Sequence, residues 1–118
     1  MAYDGVQVEI TSAATTPAEV EVPQGAANFT ITIYPVTSAE VFTSATAGTA
    51  ALTMKAAGSN VYETVYQSDG TTAVSIDLTA TSPASVTLTN TAARYFKATP
   101  SALAGGSAAG IRLAVASE

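Results

Sequence analysis

Apolar and polar residues alternate with a period of two along most of the chain. In six segments the apolar side chains occupy every second position, and mostly Thr, Ser, Glu or Gln stand between them. A period of two predicts a β-strand that buries one face and exposes the other. The six segments are residues 6–10, 19–22, 29–33, 74–78, 86–88 and 111–115.

Further strands and the turns between them follow from weaker signals. Residues 51–55, 61–66 and 95–98 also favour strands, and the sequence Ser68-Asp69-Gly70-Thr71 predicts a hairpin turn with Gly70 at positive φ. No segment shows a helical period over eleven residues, and residues 100–104 are the one candidate for a single helical turn. The pattern therefore predicts an all-β protein: a single antiparallel β-sandwich of about eight strands, with either jelly-roll or immunoglobulin-like strand order.

The first 18 residues form a possible N-terminal arm, and residues 19–118 the β-sandwich domain. The arm would consist of one strand, a stretch rich in Ser, Ala and Thr, and Pro17. Extended segments of this kind pair with neighbouring subunits, although a simple first strand followed by a loop explains the sequence equally well. If the arm pairs with a partner, the candidate contact residues in it are Tyr3, Val6, Val8 and Ile10.

Charge narrows the classes of partner. The 118 residues carry nine acidic and four basic side chains, for a net charge of −5. So few cations argue against binding to nucleic acid or to an anionic membrane surface. Only 11% of residues are charged, which favours a surface partly covered by a protein partner, although an ordinary adhesive β domain shares this composition.

The residue inventory argues against an enzyme. The chain has no Cys, His or Trp, which excludes disulfides, thiol chemistry, imidazole or thiolate metal sites and every catalytic triad built on His or Cys. Glu19 and Glu21 share one face of a predicted strand and are interpreted as solvated surface. No loop has the Asp spacing of a calcium site. We therefore expect no catalytic residue, no metal and no cofactor.

Aromatic residues provide candidate contact positions. Tyr62 and Tyr66 are four residues apart on a predicted strand and therefore face the same side. They form a candidate contact surface if the valines beside them face the core, and the reverse orientation is equally open. Arg94 and Lys97 bracket two aromatic residues; they predict charges at the ends of a strand, or an ionic contact with an acidic partner.

Several features occur in a characteristic order over residues 29–115. They are an apolar strand ending in proline (30–35), a Thr/Ala-rich strand (49–56), a hairpin with an Asp-Gly turn (63–71), a Thr/Ser-rich passage (75–90), a strand opening Arg-Tyr-Phe (94–97), and a Gly-rich loop before a closing strand (110–116). In this order the chain resembles small β-sandwich structural proteins of tailed bacteriophage virions.

The resemblance implies a function. From the resemblance we expect the chain to be a non-enzymatic capsid decoration, or cement, protein. Such a protein stabilises the phage head by binding the major capsid protein or another virion protein. The resemblance further implies a homotrimer on the outer surface of the particle. The N-terminus carries no signal-peptide pattern, so synthesis in the host cytoplasm is expected. The alternative is a tail, fibre or adhesin-type binding module that recognises a glycan or a host protein.

Overall fold

The computed structural model describes residues 6–13, 16–23, 25–67, 69–89 and 91–117. Within these ranges the chain forms strands and turns and no helix, and all strand pairs are antiparallel. The strands are β1 (Val6–Ala13), β2 (Ala18–Glu21), β3 (Phe29–Val36), β4 (Ala47–Lys55), β5 (Glu63–Thr64), β6 (Ser75–Asp77), β7 (Ala84–Leu88), β8 (Tyr95–Ala104) and β9 (Gly110–Ser117).

Two sheets contain these strands. Sheet 1 has the order β1-β9-β3-β7, and sheet 2 has the order β2-β8-β4, with β5 and β6 both paired to the far edge of β4. β5 and β6 lie one after the other along the same edge of β4 and together fill one strand position, so each sheet has four strand positions. The chain crosses between the sheets at every connection except those from β4 to β5 and from β5 to β6, and this strand order is that of a jelly roll. The predicted all-β sandwich of about eight strands is confirmed.

The core lies between the two sheets. In β2, β3, β6 and β9 the predicted alternation places large apolar side chains on the facing surfaces of the sheets. Phe29 of sheet 1 meets Phe96 of sheet 2 edge-on, with ring centroids 5.0 Å apart and planes at 71°, an orientation that suits the quadrupoles of the two rings. The other large side chains that are fully buried are Ile31, Ile33, Leu52, Leu78, Ile111, Leu113, Val22, Val36 and Val115.

Residues 6–13 of the predicted arm form β1, which pairs within its own chain. β1 lies against β9 over its whole length, with Val8 opposite Val115 and Ile10 opposite Leu113. This arrangement is the one expected for a first strand, and pairing with a neighbouring subunit stays a prediction. Ala18, at the end of the predicted arm, is fully buried as the first residue of β2.

Two predicted elements differ from the structure. Residues 100–104 were predicted as a helical turn but continue β8, because β4 pairs with β8 on past residue 100. Ala102 takes a φ of 58° beside a shift in register. Residues 61–66 were predicted as one strand, but only Glu63–Thr64 are in one. At one end β4 stops at Lys55, and at the other end β6 occupies the same edge of β4 from Ala51.

The predicted hairpin turn is confirmed at Gly70, and Ser68, its first residue, lies outside the described residues. Gly70 has a φ of 74°, and its N–H donates to the carbonyl of Gln67 over 2.9 Å. The Asp69 carboxylate accepts hydrogen bonds from the N–H groups of Thr71 and Thr72, each over 2.9 Å, and from the Thr72 hydroxyl over 2.6 Å. These bonds lower the pKa of the Asp69 carboxyl to about 2, chiefly through the Thr72 hydroxyl.

Candidate binding surface

Three of the four cations of the chain lie together on the outer face of sheet 2. Lys55 ends β4, Arg94 directly precedes β8, and Lys97 is in β8. Phe96 faces the core, so its neighbours Tyr95 and Lys97 face outward. We call this group of side chains the sheet 2 patch; it consists of Glu19, Glu21, Lys55, Tyr62, Arg94, Tyr95 and Lys97.

Strand pairing brings the acidic members to the basic ones. In the register of β2 and β8, Glu19 lies opposite Lys97 and Glu21 opposite Tyr95. In the register of β4 and β8, Lys55 also lies opposite Tyr95. Residues directly opposite one another on the same face of a sheet are close enough to be in contact. The registers of β2 with β8 and of β4 with β8 therefore bring the members of the patch together.

One half of the sheet 2 patch is centred on Tyr62, which comes from the connection between β4 and β5. Its hydroxyl donates a hydrogen bond to Glu19 Oε2. Lys97 Nζ lies 4.1 Å from the centre of its ring, and Lys55 Nζ lies 4.9 Å from the same centre. Burial, the hydrogen bond and the negative charge of Glu19 raise the pKa of the Tyr62 phenol above its usual value of 10.0, so the phenol is protonated at neutral pH.

The other half is centred on Arg94. Its Nη2 lies 3.0 Å from Glu21 Oε2, and its Nη1 donates to the carbonyl of Val22 over 2.6 Å. Its backbone N–H donates to the carbonyl of Lys55 over 2.9 Å. Tyr95 also donates to Glu21 Oε2, over 3.1 Å, and this bond raises the pKa of Tyr95. Arg94 therefore ties together the ends of three strands and fixes the position of the patch.

The patch differs in charge from the rest of the chain. It holds three cations and two carboxylates, whereas the whole chain has a net charge of −5. Both lysine ammonium groups contact tyrosine rings, which attract cations without neutralising them. The arrangement therefore suits recognition of a partner surface that carries carboxylates.

An open cleft of about 580 Å³ borders the patch at Arg94. It lies where three connections meet: those between β2 and β3, between β4 and β5, and between β7 and β8. Small side chains leave room here for a bulky side chain of a partner. Besides Arg94, the lining residues are Gly25, Ala26, Ala27, Ala56, Ala57, Thr91, Ala92 and Ala93.

The two predicted contact tyrosines are in different places. Tyr62 belongs to the sheet 2 patch, whereas Tyr66 is 49% exposed and lines a groove beside β7. The flanking valines also differ, because the segment is not a regular strand: Val65 is buried and Val61 is 66% exposed.

The other predicted contact residues belong to the N-terminal segment. Val6, Val8 and Ile10 are part of β1, and Tyr3 lies outside the described residues. A role for these residues and for the two tyrosines in partner binding stays a prediction.

The members of the sheet 2 patch are scattered in the sequence and were not predicted to lie together. Glu19 and Glu21 were interpreted as solvated surface, and Lys97 as the end of a strand. The sequence did hold a signal for this contact. The segment of β2 has acidic side chains at alternate positions, and the segment of β8 has Tyr95 and Lys97 at alternate positions. The signal identified no particular contact, because the sequence does not show that β2 pairs with β8.

The described residues hold neither a candidate metal site nor a membrane-spanning helix. Among the described residues, no group of three or more His, Cys, Asp or Glu side chains is placed to hold a metal ion. In the same part of the chain, no helix has the length and hydropathy needed to cross a membrane.

Comparison with known proteins adds no relative. No protein-family model matches the chain, and neither a curated protein nor a solved structure matches it. The likeness to phage virion proteins therefore rests on the order of features in the sequence, and the function that it implies is put forward as a proposal.

Proposed function

We propose that this chain is a non-enzymatic structural protein of a bacteriophage virion, most specifically a capsid decoration protein. In this proposal it binds the major capsid protein or another virion protein on the outer surface of the head, as a homotrimer. It binds neither nucleic acid nor membrane, and no cofactor takes part.

The sheet 2 patch is the observation that carries the proposal. A protein that coats a shell must bind in one orientation, so it needs one face that differs from the others. In this acidic chain, three of four cations lie on one face at one end of a sheet, next to a cleft lined by small side chains. Charges distributed in this way orient a protein on a partner surface of opposite sign.

The sandwich is compatible with the same role. Jelly rolls are frequent in viral capsid proteins and also in lectins, so the fold by itself favours no single function. Beyond the patch, the outer face of sheet 2 continues with the short side chains of Thr49, Ala51, Thr99 and Ser101, and with Asp77 opposite Thr49. Apart from Asp77 these side chains are uncharged, so covering this surface removes few charges from water.

The residues of the chain support a role without catalysis. The chain has no His or Cys to act as a nucleophile or as a base near neutral pH. The raised pKa of the Tyr62 phenol keeps it protonated, so it does not act as a base there.

The first test is the copy number in particles. Particles from the source are separated on a density gradient, and the chain is quantified by mass spectrometry against the major shell protein. Decoration predicts comparable copy numbers in the head fraction. A few copies per particle would favour the tail, fibre or adhesin alternative, and absence from all particle fractions would overturn the proposal.

The second test locates the binding face. Lys97→Gln removes one charge from the patch, and Arg112→Gln removes one charge from sheet 1, where Arg112 lies 3.9 Å from Glu40. Both variants are added to heads that lack the protein. We expect weaker attachment and weaker salt dependence for Lys97→Gln only. Equal attachment of both variants would contradict a role for the patch.

A further inference from the structure

Among the described residues, no strand lies beside the outer edge of β7. β7 is the last strand of sheet 1 and pairs only with β3. In the part of the chain that the structure describes, no backbone hydrogen bond reaches its other edge. Free N–H and C=O groups on a strand edge pair readily with an added strand.

The apolar side chains of β7 are incompletely covered. Val86 and Leu88 pack against the core but are only partly buried. Ile31, opposite Val86 on β3, is 1% exposed. A groove of about 480 Å³ runs along this edge, with Tyr66 among its lining residues. A strand added here would both satisfy the backbone groups and cover the remaining apolar surface.

Nothing in the sequence protects this edge by charge. Residues 78–93 contain no Asp, Glu, Lys or Arg, and Pro83 precedes the strand. Soluble proteins usually block an open edge with lysines, prolines or a bulge within the strand. An uncharged edge with apolar side chains left half-covered is typical of a strand that is paired in the assembled protein.

We propose that the outer edge of β7 pairs with β1 of a second copy of this chain. β1 is the opposite edge of the same sheet, and the order β1-β9-β3-β7 makes β1 antiparallel to β7. A second copy, related to the first by a rotation about an axis parallel to the strands, therefore places its β1 antiparallel to β7 of the first copy. In this arrangement the core-facing sides of the two sheets lie on the same side of the joined sheet. The sequence of β1, Val-Gln-Val-Glu-Ile-Thr, has the alternation that such an edge requires.

The contact is head-to-tail, because two different edges meet. Contacts of this kind close into rings when the rotation permits. This pairing rests on the homo-oligomer of the proposed function. It specifies the two strands that join neighbouring subunits. It is tested with the purified chain alone, so its failure is distinguishable from a failure of shell binding.

The first experiment measures mass in solution. We expect the native chain to associate with increasing concentration in light scattering, and Val86→Lys to be monomeric with an unchanged circular dichroism spectrum. Val61→Lys is the matched control, since Val61 is exposed in a different connection, and it should associate like the native chain. A native chain that is monomeric at millimolar concentration would overturn the inference.

Hydrogen exchange covers the case in which Val86→Lys does not fold. In the native chain, the amides of β7 should exchange more slowly at high concentration than at low concentration. Protection that grows with concentration in other strands and not in β7 would contradict the inference.

A cross-linking experiment identifies the pairing strand. The chain has no Cys, so the single substitutions Glu9→Cys and Thr87→Cys each introduce one thiol. On mild oxidation, a mixture of the two variants should form mixed disulfide dimers. Disulfide dimers of Thr87→Cys with itself, without mixed dimers, would show that β7 pairs with β7 and would overturn the assignment of β1.

Discussion

Lys97 and Tyr62 are in direct contact, with the ammonium nitrogen 4.1 Å from the centre of the ring. Lys97 belongs to β8, and Tyr62 belongs to the connection that follows β4. The contact therefore closes the connection over the outer face of sheet 2. Because Glu19 accepts the hydrogen bond of the same tyrosine, one side chain links three segments of the chain.

The energy of this contact is measurable with a double-mutant cycle. We expect the substitutions Lys97→Met and Tyr62→Leu to be coupled by about 0.5–1 kcal/mol, the usual range for a cation near an aromatic ring at the surface. Urea unfolding of the native chain, both single variants and the double variant provides the coupling energy. Lys97→Met combined with Tyr66→Leu is the control and should show no coupling.

Tyr62 makes stability dependent on alkaline pH. The folded state raises its pKa above 10.0, so its stabilising effect is complete below pH 10 and declines as the pH rises further. We expect Tyr62→Phe to lower the free energy of unfolding by about 0.5–1 kcal/mol at neutral pH. The difference from the native chain should shrink above pH 10. A constant difference up to pH 11 would contradict this origin, and Tyr66→Phe controls for the loss of a phenol.

Asp69 has the opposite dependence on pH. Its lowered pKa, from 3.8 to about 2, stabilises the turn above pH 3.8, and this effect is lost as the pH falls toward 2. We expect Thr72→Val to shift the pKa of Asp69 back toward 3.8, because the hydroxyl of Thr72 makes the largest contribution. Carbon-13 NMR titration of the carboxyl measures the shift. Thr71→Val is the control and should have a smaller effect.

Gly48 is required for the close approach of β4 and β8. It has a φ of 126°, and a Cβ atom there would lie 2.8 Å from the Cα of Leu103. We expect Gly48→Ala to lower the free energy of unfolding by about 2 kcal/mol or more, from backbone strain and steric overlap together. Gly58 also has positive φ but open space around it, so Gly58→Ala should cost only about 1 kcal/mol. Equal losses in urea unfolding would show that the overlap is relieved.

Strand positions were the most predictable feature of this protein. The segment around Ile31 and the segment around Leu113 alternate cleanly, because each lies in the middle of sheet 1 with one face on the core. The segment around Tyr62 was predicted less well. Its structure depends on where β4 ends and on where β6 pairs along the same edge of β4, and the local sequence does not contain this information.

The sequence by itself determined the class of fold, the inward face of most strands and the turn at Gly70. These features depend on neighbouring residues, since alternation and turn chemistry act over a few positions of the chain. Only the tertiary structure decided the jelly-roll order, the sheet 2 patch and the open edge of β7. Each of these depends on pairing between strands that are distant in the sequence, such as β2 with β8, and strand register is set by the packing of the whole sandwich.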